Sequence, residues 1–197
     1  MTNNDILRRL RYVFDLHDTK IVNMFTSVGE EVALEQVNRW LKKDDDPYFK
    51  RCKDQQLAIF LNALIILRRG RREGVMVEHE RKITNNLVLR KLKIAMDFKS
   101  DDVLATLALA GMTISDHELS SFFRKPGNKH YRECKDQILR NFIDGLRIKL
   151  RGEGNPDPAA TKAMTSEATA PKTTAPKTTA PKTPIPKTTA AKPADSQ

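Results

Sequence analysis

Thr2-Asn3-Asn4-Asp5-Ile6-Leu7-Arg8-Arg9-Leu10-Arg11 is written a second time, as Thr84-Asn85-Asn86-Leu87-Val88-Leu89-Arg90-Lys91-Leu92-Lys93. Outward from this stretch, residues 2–70 slide onto residues 84–152 at a single offset of 82, with no gap. Gly29 meets Gly111, Trp40 meets Phe122, and Cys52-Lys53-Asp54-Gln55 meets Cys134-Lys135-Asp136-Gln137. The overlay closes with Arg69-Gly70 on Arg151-Gly152. Roughly 19 of about 69 positions are identical, far above chance for an ungapped overlay, so the chain carries an internal duplication.

The duplication divides the chain. Residues 1–70 form one repeat, 71–83 a linker, 84–152 a second repeat and 153–197 a tail. The tail collapses to Ala, Pro, Thr and Lys, with Thr-Ala-Pro-Lys recurring at 169–172, 174–177 and 179–182. Such a composition cannot bury enough surface to offset the entropy of ordering it, and predicts disorder.

Within each repeat the apolar residues recur at helical spacing. Asn3-Asn4-Asp5 is a cluster of N-cap residues ahead of Ile6, Leu7, Leu10, Val13 and Phe14. A second helix capped by Asp18 or Thr19 carries Ile21, Val22 and Phe25 and ends at Gly29. The third holds Leu34, Val37, Trp40 and Leu41, and its twin opens on the capping box Ser115-Asp116-His117-Glu118. The fourth is the most apolar, from Leu57 to Ile66, and stops at Gly70 as its twin stops at Gly152. No stretch alternates strictly enough for a strand. The expected fold is all-α: two homologous four-helix repeats, packed with pseudo-two-fold symmetry as a homodimer packs its subunits, followed by a disordered tail.

The Asn-Asn-x-x-Leu-Arg head of each repeat, the Gly-ended second helix, Trp40-Leu41-Lys42-Lys43 and the run from Phe49 through Cys52 and Asp54 to Leu64 resemble the YehS-like family. Those are small bacterial proteins built from two copies of a helical domain of unknown function. The resemblance covers roughly residues 1–152; it implies a fold and a compartment, and transfers no catalytic residue.

Composition narrows the class. The start of the chain lacks the basic and apolar run of a signal peptide, and nothing approaches a membrane span, so a cytoplasmic protein is expected. Cys52 and Cys134 hold equivalent places, which suits two free buried thiols better than a bond made after duplication. His130 lies four before Cys134, but its twin position is Tyr48, so neither a metal site nor a cofactor is expected. No phosphate loop or Ser-His-Asp arrangement stands out, and no catalytic residue or small-molecule substrate is assigned.

The net charge is +10, about +8 of it in residues 1–152, and a surplus of that sign favours polyanions. Arg8, Arg9 and Arg11 recur as Arg90, Lys91 and Lys93, opposite the apolar stripe of the first helix in each repeat, and further cations stand at Arg68 and Arg69. Placed on solvent, such side chains neutralise phosphates without reading bases. A helix-turn-helix at Gly29 and Val37–Leu41 has the wrong turn length for base readout. The sequence points to a non-enzymatic binding protein whose partner is RNA or DNA, held weakly and without sequence preference. The alternative is a protein–protein adaptor that takes a partner helix in an inter-repeat groove.

Overall fold

The computed structural model describes residues 1–71 and 78–152; the expected tail disorder and the middle of the linker lie outside these residues. The described residues form eight α-helices and no strand. In repeat 1 these are α1 (Asn3–Val13), α2 (Asp18–Ser27), α3 (Leu34–Leu41) and α4 (Asp54–Arg69). Their twins in repeat 2 are α5 (Asn85–Ala95), α6 (Ser100–Leu109), α7 (Asp116–Phe122) and α8 (Asp136–Arg151). None is long and apolar enough to cross a membrane.

Local chemistry sets the helix ends. Thr2 accepts from the Asp5 N–H at 3.2 Å while the Asp5 carboxylate accepts from the Thr2 N–H at 3.1 Å, a capping box that opens α1. Ser115 and Glu118 open α7 in the same way. Each first helix stops with an aspartate in the left-handed region, Asp15 at φ 51° and Asp97 at φ 56°. Leu16 N–H then reaches back to Arg11 O (2.9 Å), and Phe98 N–H to Lys93 O (3.0 Å), the six-to-one bond of a Schellman stop.

Four helices make the centre. α1 packs on α4 and α8, and α5 packs on α8 and α4, which closes a ring. The members of this ring all run the same way. Asp54 at the start of α4 accepts from Ile83 N–H, just ahead of α5, at 3.2 Å, and Arg69 at the end of α4 pairs with Asp97, just beyond α5. On the opposite side the Met1 ammonium pairs with Asp136 at the start of α8, and Arg151 at its end binds Asp15 at 2.8 Å. Met1 and Ile83 are equivalent in the overlay, as are Asp15 and Asp97. The two inter-repeat seams, α4/α5 and α8/α1, are therefore related by a pseudo-two-fold axis.

Burial follows from this ring. α4 is buried on every side from Leu57 to Leu64, because its own repeat covers one face and α5 another. Leu10, Leu92, Phe60, Phe142 and Leu146 are wholly buried between the central helices. α2 and α3, like α6 and α7, close the outer flanks, where the rings of Phe25 and Trp40 meet at a tilt with centroids 5.7 Å apart. At Gly145 of α8 a Cβ would lie 1.9 Å from Thr106 O, so glycine there lets α6 approach backbone to backbone.

Candidate nucleic-acid interface

The recurring Asn-Asn and Cys-x-Asp motifs position α1 and α5. The Asn4 amide donates to Trp40 O (2.8 Å) and Lys50 O (2.9 Å), and its carbonyl accepts from Cys52 N–H (3.0 Å). Asn86 makes the same three bonds to Phe122 O, Arg132 O and Cys134 N–H. Asn3 donates to Cys52 O and Asp54, and Asn85 to Cys134 O and Asp136. One side chain thus ties together the start of α1, the end of α3 and the start of α4. Read from sequence, these asparagines are caps; the caps are Thr2 and Thr84. The signal that could have revealed the clamp is the shared separation of 48 residues between Asn4 and Cys52 and between Asn86 and Cys134.

Cys52 and Cys134 are free and buried. Burial, and then the charge of Asp54, pushes the Cys52 thiol up to about 12; burial and then Asp136 do the same to Cys134. That direction is opposite to the one a nucleophilic thiol needs.

The cations of α1 and α5 are not one solvent-facing group, which corrects the sequence expectation. Arg9 is 4% exposed and Lys91 7%, both in the inter-repeat seams. The reason is tertiary: α1 and α5 are covered by their own repeat on one side and by the other repeat's last helix on another. Lys91 Nζ binds Glu80 (2.6 Å) and Asn62 Oδ1 (2.5 Å), so its charge is buried with partners supplied by the linker and α4. Arg8 and Arg90 are half-buried and serve the third helices, donating to Lys42 O and Phe123 O at their C-terminal ends. Arg8 also binds Asp5 and Asp44.

The remaining candidates meet elsewhere. Because the central helices run the same way, Arg11, Arg68, Arg69 and Lys93 gather at one end of the molecule, joined by Lys149 and Arg151 of α8. Arg11 is paired with Asp18 at 2.8 Å, Arg69 with Asp97 and Arg151 with Asp15. Arg68, Lys93 and Lys149 have no carboxylate partner among the described residues. They stand instead over the rings of Phe14 (5.9 Å), Phe123 (4.9 Å) and Phe98 (4.5 Å).

Two stretches of the chain, residues 3–70 and 85–152, match a family described as "Protein of unknown function (DUF1456)". The chain is also similar to "Uncharacterized protein YehS" of Escherichia coli (strain K12), 42% identical over 150 residues, which is 76% of this chain and 96% of that protein. No solved structure matches. Both copies of the clamped four-helix unit coincide with the matched stretches, and the chain belongs to the DUF1456 family, carrying its unit twice.

Proposed function

We propose that this is a non-enzymatic protein that binds the backbone of RNA or DNA weakly and without sequence preference, through the end where α1, α4, α5 and α8 terminate. The observation that supports this reading is the set Arg68, Lys93 and Lys149, whose charges rest on aromatic rings and are not cancelled by carboxylates. Arg71 adds an exposed cation beside them. The helix dipoles ending here draw cations for their own sake, but about half a unit of negative charge at each of the four helix ends offsets only about half of this surplus. The Lys-rich tail departs from Gly152 at the same end and would extend the polycation. Arg9 and Lys91, being buried, have no part in it.

Anisotropy of a labelled oligonucleotide against the full chain tests this reading. With about five phosphate contacts, affinity should fall by roughly three orders of magnitude between 50 and 200 mM salt. Charge reversal at Arg68, Lys93 and Lys149 should abolish it, while reversal at the exposed Lys20, Lys43 and Lys129 changes net charge equally and should weaken it far less. Equal losses in the two triple variants, or no affinity at micromolar protein, would remove the reading.

A further inference from the structure

The two seams are equivalent in the duplication but not in their filling. In the α8/α1 seam Arg147 is buried and binds Asp144 at 2.7 Å, and Arg151 lies 4.4 Å over the ring of Tyr12. The matching positions in the α4/α5 seam are Ile65 for Arg147 and Ile94 for Tyr12. Both replacements are smaller and carry no polar group. An open cavity of about 580 Å³ results, within the range of small-molecule sites. Ile65, Ile66, Ile94 and Phe98 give it an apolar lining, Asn62 and the Arg69–Asp97 ion pair add polar groups whose charges cancel, and Arg71 and Lys93 also line it. Ile94 is 45% exposed and opens onto this cavity.

We propose that this cavity is a binding site for a small amphipathic anion, an apolar body carrying one carboxylate or sulfonate group. The apolar lining takes the body by ordinary burial. Arg71 and Lys93 provide the complementary charge, neither having a carboxylate partner among the described residues. Duplication alone would have made two such sites. The Tyr12 and Arg147 side chains close the second, so one ligand binds per chain.

Fluorescence titration with 1-anilinonaphthalene-8-sulfonate, an aromatic body with one sulfonate, tests the site on the full chain. N-phenyl-1-naphthylamine, the same body without the charge, serves as the comparison. Saturable binding at one site per chain is expected, displaced by decanoate. The decisive variant is Ile94→Tyr, which copies into the cavity the residue the other repeat already accommodates, so the fold tolerates it. It should weaken both probes by about tenfold or more. Arg71→Ala should weaken the sulfonate several-fold and leave the neutral probe unchanged. Absence of saturable binding, or sulfonate binding untouched by Ile94→Tyr, overturns the proposal. So does displacement by an acidic peptide but not by decanoate, which would assign the cavity to a protein partner. The oligonucleotide measurement is separate from this one, so either reading can fail without the other.

Discussion

Asn4 uses both amide protons and its carbonyl oxygen on backbone groups that no other side chain serves. Removing it leaves three buried polar groups without partners, each costing about 1–3 kcal/mol. Asn4→Ala should therefore lower stability by about 3–5 kcal/mol in chemical denaturation, and a loss under about 1 kcal/mol would contradict the clamp. Cys52 beside it contributes packing. Cys52→Ala should cost only about 1 kcal/mol. With both thiols raised to about 12, alkylation of the native protein at pH 8 should be slower than in urea by about three orders of magnitude. Asp5 carries an acid sensitivity. Burial raises its carboxyl, but the bonds from the Thr2 backbone and hydroxyl and from Arg8 outweigh this and hold it below the usual aspartate range. A depressed folded value means stability that is present above the unfolded pKa of about 3.9 and lost as pH falls through the folded one. Its twin is Leu87, so amide exchange should show the start of α1, and not that of α5, loosening on acidification. Asp5→Asn should remove that difference.

Among the elements, the helix stops were open to sequence reasoning and the helix starts less so. Gly70 and Gly152 end α4 and α8 at φ 81° and 82°, and Ser115-Asp116-His117-Glu118 forms the expected box, because all of these depend only on near neighbours in the chain. Asn3 and Asn4 were expected as caps and lie inside α1, since their amides are drawn to residues about 50 positions away. Asp15 and Asp97 occupy a conformation that costs a non-glycine residue about 1 kcal/mol, offset by their ion pairs across the seams with Arg151 and Arg69. Gly145 invites a sharper test. Alanine improves helix propensity by about 1 kcal/mol, yet the added Cβ would collide with Thr106 O and force α6 from α8. Gly145→Ala should lower Tm, with a net cost of about 1–3 kcal/mol, and a rise in Tm would show that the helices are not so close.

At the scale of the molecule, four central helices that point one way stack their dipoles side by side, which is unfavourable unless the ends carry opposite charge. Asp5, Asp54 and Asp136 stand at the starts and Arg68, Arg69, Lys149 and Arg151 at the finishes. This arrangement, and the burial of α4 on all sides, makes the repeats depend on each other. The intact chain should unfold in one calorimetric transition. Residues 1–70 alone should either stay unfolded or pair with a second copy, using for a homodimer the contacts that α5 and α8 make in the full chain. A monomeric, cooperatively folded repeat, seen by ultracentrifugation and calorimetry, would show that the seams are dispensable.

The sequence by itself determined the duplication, the helical class, the glycine stops and the burial of both cysteines, because each follows from a local pattern written in two copies. Only the tertiary structure decided that α1, α4, α5 and α8 run together, that Arg9 and Lys91 are buried while Arg68 and Lys149 are exposed, and that a cavity opens in the α4/α5 seam. An apolar stripe shows that a helix has a partner, and is silent on how many partners it has. The first helices have partners on two sides, and the second side is lined by cations whose exposure depends on where the other repeat's last helix comes to rest.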